Sequence, residues 1–158
     1  MSTRPGFGAM RTVATALAGA AGVAAAPVHA AVNGEAQFKQ HCAACHQPDG
    51  SGVPGLAPPL AKSLARHLAS PRAAEYLVRV VIGGLAGPIT VAGQTMVGAM
   101  PGMPQLSDDE VGAVLNYVVR GLNGAAEDRV SPADVASVRQ TRPDPNDTLR
   151  MRRSLLGG

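Results

Sequence analysis

The sequence predicts an all-α domain of three to five short helices, and three observations predict it. Residues 107–124 carry an apolar stripe at helical spacing behind a complete helix-start signal. Shorter runs upstream repeat the same periodicity. No stretch alternates apolar and polar residues with conviction, as a half-buried strand would.

In chain order, Asn33 to Cys42 reads as a short helix, with Gly34, Phe38 and Cys42 recurring at intervals of four on one face. Residues 47–59 are rich in glycine and proline and imply irregular backbone. Ala61 to Ala69 reads as a short helix. Pro71 to Ile82 reads as another, with Tyr76, Leu77, Val80 and Val81 on one side and Gly83-Gly84 as its stop. Residues 84–106 show no periodicity and hold Met96, Met100 and Met103. An aperiodic loop of that length usually either does something or marks an error in the assignment. Ser107 and Glu110 then have capping-box spacing, with Asp108 and Asp109 in the first turn, and Val111, Val114, Leu115, Val118 and Leu122 form the stripe.

The chain divides into four stretches. Residues 1–30 read as a cleaved secretory signal peptide: Arg4 and Arg11 precede an Ala/Gly/Val-rich run, and Val28-His29-Ala30 offers a cleavage site before Ala31. The apolar run is too short for a spanning helix, which needs roughly 20 residues. Residues 31–124 are the main domain. Residues 125–140 are an extension with a short helix from Val130 to Arg139, Ser131 serving as its cap and Pro132 sitting in its first turn. Residues 141–158 read as a disordered tail, whose Arg150, Arg152 and Arg153 are solvated or grip an acidic partner or lipid phosphate.

Without Arg4 and Arg11, twelve basic residues face eleven acidic ones, a formal +1. No aromatics are interleaved with a basic stripe, which argues against nucleic-acid binding. Residues 31–158 contain only three aromatics, Phe38, Tyr76 and Tyr117. A core so poor in large rings would be completed by a planar cofactor.

The chemistry concentrates in Cys42-Ala43-Ala44-Cys45-His46. A structural zinc site needs four protein ligands, and no second cysteine pair exists in this sequence. A thioredoxin-like dithiol belongs beside a βαβ unit, and none is visible. A disulfide over two intervening residues restrains little, because stabilisation grows with loop length. C-x-x-C-H is the attachment signature of c-type haem, and that reading uses every residue. Cys42 and Cys45 would form thioether links, and His46 would bind the iron. A sixth ligand that suits electron transfer is a methionine sulfur. Met100, fifty-four residues after His46, is the choice, and Met103 in a second Met-Pro pair is its competitor. His46 also needs an acceptor for its other ring nitrogen, and the carbonyl of Pro58 or of Pro59 could serve. His41 and His67 read as ordinary polar residues.

Three stretches, "GEAQFKQHCAACHQPDGSGVPGLAPPL", "GGLAGPITVAGQTMVGAMPGMPQLSDDEVGAVLNYV" and "VSPADVASVR", resemble the class I c-type cytochromes and cover most of residues 34–139. The likeness is strongest to single-haem domains of periplasmic dehydrogenase cytochrome subunits and of copper nitrite reductases. That resemblance implies the cytochrome c fold around one covalently attached haem. It implies Met100 as sixth ligand, and Pro58, Pro59 and Leu60 among the residues that meet the haem. It implies a first and last helix crossing through Gly34, Phe38 and Tyr117.

The expected function is a periplasmic one-electron carrier and not an enzyme. Its partners would be a dehydrogenase, a respiratory complex or a terminal reductase or oxidase, with only indirect membrane contact. Two alternatives are a five-coordinate or weakly methionine-ligated gas sensor or peroxidase, and a tightly bound electron-transfer subunit of a dehydrogenase.

Overall fold

A computed structural model describes residues 1–3, 31–91 and 93–156. Apart from residues 1–3, the predicted signal peptide falls on residues outside that description. Residues 31–158 form one unit, and none of the described helices is long and apolar enough to cross a membrane.

The first helix, α1 (Gly34–His41), starts where Asn33 Oδ1 accepts from the Ala36 amide at 3.0 Å. A second short helix, α2 (Ala43–His46), follows after Cys42, so the cysteine motif is itself helical. After the glycine- and proline-rich loop come α3 (Ala65–Leu68) and α4 (Ala73–Gly83). The helix expected over 61–69 is therefore reduced to one turn. Then α5 (Asp108–Asn116) opens on the predicted capping box, Glu110 N to Ser107 Oγ at 3.3 Å and Ser107 N to Glu110 Oε2 at 2.8 Å. It widens into a π-helical turn over Tyr117–Leu122.

Helices α1 and α5 cross closely. A Cβ on Gly34 would lie 2.1 Å from the Ala113 carbonyl oxygen, so only glycine fits. Beside that crossing the Phe38 and Tyr117 rings meet at 5.5 Å, tilted by 50°. The expected crossing through Gly34, Phe38 and Tyr117 is present. Phe38, Val78, Val111 and Val119 are fully buried in the core these helices share with α4.

Two regions depart from the sequence reading. Residues expected to form an aperiodic loop form an antiparallel hairpin, β1 (Leu85–Val91) and β2 (Gln94–Met100), with Thr90 opposite Thr95 and Leu85 opposite Met100. The fold is mostly helical rather than purely so. Both strands are edges, which tolerates Pro88, and neither face is deeply buried, which erases the alternation. The local signal was there: Ile89, Thr90, Val91, Thr95 and Val97 flank a two-residue connection ending in Gly93 at φ 78°.

The tail is the second correction. After α6 (Pro132–Gln140), capped by Ser131 as expected, residues predicted to be disordered form α7 (Pro145–Leu156). This helix buries Thr148, Leu149, Met151 and Arg152. Its polar composition hid a narrow apolar face. Val130, Val135, Val138 and Met151 join the same core as α1, α4 and α5, so residues 125–156 complete the domain instead of trailing from it.

Candidate functional site

Cys42 closes α1, its amide bonding to the Phe38 carbonyl at 2.8 Å, and the His46 amide bonds back to the Cys42 carbonyl at 2.9 Å. One helical turn thus presents Cys42, Cys45 and His46 together. Both cysteines are free thiols; Cys45 is exposed and Cys42 half-buried. Burial, with Cys45 adding to it, pushes the Cys42 thiol up to about 11. A dithiol built for exchange has the opposite shift. Among the described residues no three His, Cys, Asp or Glu side chains gather as a metal cluster would require.

His46 is only 6 % exposed. Its Nδ1 lies 3.0 Å from the Pro58 carbonyl oxygen, so Nδ1 donates and Nε2 keeps its lone pair. Burial lowers the His46 pKa, against the bond to Pro58, which raises it. A neutral imidazole with one nitrogen anchored is the form that ligates a metal. Of the two candidate prolines, Pro58 faces the ring, whereas the Pro59 carbonyl accepts from Ser63 Oγ at 2.6 Å. Leu60 packs against the core, and its amide bonds to the Gly50 carbonyl at 2.8 Å.

Gly52 makes this loop possible, a role sequence reasoning missed. Its amide donates to the His46 carbonyl at 2.9 Å. Its φ is +73°, and a Cβ there would lie 2.7 Å from the Pro58 oxygen. A side chain would push away the very carbonyl that orients His46.

The methionines separate. Met100 is the last residue of β2 and lies outside the core cluster. Met103 packs against that cluster, and its amide bonds to the Val81 carbonyl at 2.7 Å. Two further residues bear on this side. Arg139 of α6 donates to the Pro104 carbonyl (2.8 Å), the Leu106 carbonyl (2.8 Å) and Asp108 Oδ1 (3.0 Å), pinning the segment that follows the methionines. Arg152 of α7, expected in a solvated tail, is buried and donates to the Thr90 carbonyl of β1 at 3.0 Å. Neither contact has a local sequence signal, because each joins residues more than thirty positions apart.

The donor set fits a covalently held haem: two free thiols and an anchored neutral imidazole share one turn. The family model described as cytochrome c matches residues 31–121. Cytochrome c-552 of Thermus thermophilus is 36 % identical over 124 residues, 76 % of this chain and 95 % of that protein. The cytochrome c subunit of the quinone-dependent alcohol dehydrogenase of Gluconobacter oxydans is 33 % identical over 105 residues, 66 % of this chain but only 21 % of that subunit. The corresponding subunit of Komagataeibacter europaeus is 33 % identical over 114 residues, 71 % of this chain and 23 % of that subunit.

Proposed function

Since this chain belongs to the cytochrome c family, a family of electron-transfer proteins with covalent haem, we propose that it is a periplasmic one-electron carrier. In this reading Cys42 and Cys45 hold one haem by thioether bonds, and His46 and Met100 ligate its iron. Bound haem supplies a single-electron couple between ferric and ferrous iron. The residues do the rest. Cys42 and Cys45 retain the group, Pro58 fixes the plane of the His46 ring, and the buried position of that ring excludes water from one face.

The observation that carries the reading is the His46 Nδ1 to Pro58 bond, which leaves Nε2 free beside two free thiols. Met100 is preferred to Met103 because Met103 packs against the core cluster and Met100 does not. With His46 and Met100 both as ligands, a bound haem would keep no open position for substrate, so the reading is electron transfer rather than sensing or peroxidation.

Acidified acetone tests attachment: the red pigment stays with denatured protein, and its extraction would sink the proposal. Met100→Ala removes the sulfur-to-iron band at the red end of the spectrum, whereas Met103→Ala keeps it. The reverse pattern would move the ligand to Met103. The dehydrogenase subunits among the relatives favour a dehydrogenase as partner. Copurification distinguishes a bound subunit from a free carrier.

A further inference from the structure

Residues 47–64 carry the Pro58 carbonyl that orients His46, and among the described residues three hydrogen bonds join this stretch to a distant part of the chain. All three end on Leu122 and Asn123, where the π-helical turn stops. Asn123 Nδ2 donates to the Leu60 carbonyl at 2.9 Å, and the Leu64 amide donates to Asn123 Oδ1 at 3.1 Å. Between them the Lys62 amide donates to the Leu122 carbonyl at 3.0 Å. Asn123 Nδ2 also donates to the Val118 carbonyl at 2.9 Å, while the Asn123 backbone amide turns to the Arg120 carbonyl. Two carbonyls and one N–H around a single side chain require two donors and an acceptor. An asparagine amide offers that set, and an aspartate carboxylate does not.

The bonds that shape the loop itself begin and end inside it. The Leu60 and Ala61 amides reach the Gly50 carbonyl, and the Ala57 amide reaches the Val53 carbonyl. Such bonds fix an internal shape without fixing where the far end lies. The peptide group that carries the Pro58 oxygen has no donor of its own, because Pro59 lacks an N–H. The far end is also strained. Lys62 holds φ +56°, a left-handed backbone that persists only where the surroundings hold it. Asn123 bonds Leu60 and Leu64 on either side of Lys62, and Leu122 bonds Lys62 itself.

We propose that Asn123 is a positioning residue for His46. It holds Leu60, two residues beyond Pro58, and so sets the direction and closeness of the carbonyl to which Nδ1 donates. A well-placed carbonyl makes the imidazole more basic, which would favour the ferric state of a bound haem. That last step rests on the haem reading above; the clasp and its action on the ring do not.

Asn116 supplies the control. It too makes three hydrogen bonds to a distant loop: Nδ2 donates to the Val130 carbonyl at 2.8 Å, and the Arg129 and Val130 amides donate to Oδ1 at 2.9 and 3.0 Å. It is half-buried like Asn123, but none of these partners belongs to the His46 loop.

The test compares Asn123→Ala with Asn116→Ala in the pigmented protein. Both lose stability, but only Asn123→Ala displaces the His46 Nδ1–H resonance and raises the midpoint potential. Asn123→Asp, which keeps an acceptor for Leu64 and has no donor for Leu60, displaces the resonance as well. If Asn123→Ala does not fold, Asn123→Ser read against Asn116→Ser decides by the same two measurements. An unmoved resonance in a folded Asn123 variant, or equal displacement in the Asn116 variant, overturns the proposal. A displaced resonance at an unchanged potential upholds the positioning and overturns its effect on the iron. Should no pigment be covalently bound, the haem reading fails by itself. The resonance in that chain then judges Asn123 alone: displacement in Asn123→Ala but not in Asn116→Ala upholds the positioning, and displacement in neither ends it.

Discussion

The histidine side and the methionine side of the candidate site are built by opposite means. Residues 41–60 close on themselves: His46 bonds to Cys42, Gly52 to His46, Pro58 to His46 and Leu60 to Gly50, all within twenty positions. Residues 85–107 are held from afar. Met103 leans on Val81, Thr90 is bonded by Arg152, and the Pro104 and Leu106 carbonyls by Arg139. One side is mostly local, the Asn123 Nδ2 bond to the Leu60 carbonyl at 2.9 Å being its long-range tie. The other borrows its ties from a C-terminal extension, and so should loosen first.

The largest break in that comparison comes from deleting residues 125–158. Four buried side chains, Val130, Val135, Val138 and Met151, leave the shared core with it. Each is worth about 1.5–3 kcal/mol when fully buried, which together rivals the reserve of a marginally stable domain. The expected outcome is selective. Covalent pigment remains on Cys42 and Cys45, while the sulfur-to-iron band disappears at neutral pH. A truncated protein that kept the band would show both sides to be equally self-sufficient.

Removing one guanidinium gives a smaller break. Arg139→Ala frees two carbonyls and Asp108, and a hydrogen bond to a charged group contributes about 1.5–3 kcal/mol. Arg139 and Asp108 are each 34 % exposed, so their ion pair adds little. Global stability should fall by about 2 kcal/mol. In urea, the sulfur-to-iron band should fade before helical circular dichroism does. Arg139→Lys should recover only part, because a point charge cannot span three acceptors. Coincident transitions in Arg139→Ala would refute the sequential loosening.

The same contrast explains what the sequence disclosed. The cysteine motif, α1, α5 and the cap of α6 are local patterns, and each was readable because its partners lie within a few residues. The hairpin was hidden because Gly87, Pro88 and Gly98 dilute its β-branched residues and its faces are scarcely buried. Helix α7 was hidden because Arg150 and Arg153 flank its buried residues and Arg152 is itself one of them, a composition that reads as a solvated tail. The roles of Arg139 and Arg152 depend on partners 31 to 85 positions away, and no periodicity encodes such a pairing. His67 illustrates the loss most plainly: an ordinary histidine in sequence, it acquires its environment only when α7 docks.

On the histidine side, Gly52→Ala sharpens the comparison. A side chain at φ +73° costs about 1–3 kcal/mol in strain, and the close Pro58 oxygen must move. Stability should fall by about 1–3 kcal/mol. The His46 Nδ1–H resonance should shift as its acceptor retreats, while the sulfur-to-iron band survives. Loss of that band would mean that the two sides are coupled through the loop.

The smallest effects come from two helix caps of similar strength on the two sides. Asn33 caps α1, which leads into the cysteine motif, and Ser131 caps α6, which carries Arg139. Either change to alanine costs about 1 kcal/mol. The melting temperatures should therefore fall alike, by about 3–5 °C. Amide exchange should separate them. Ser131→Ala weakens the anchor of Arg139 on Pro104 and Leu106, so the amides of Met103 and Leu106, bonded to Val81 and Met103, should exchange about five-fold faster. Asn33→Ala has no such route and should leave their rates relative to global unfolding unchanged. Equal acceleration in both variants would mean that the methionine side is not the borrowed one.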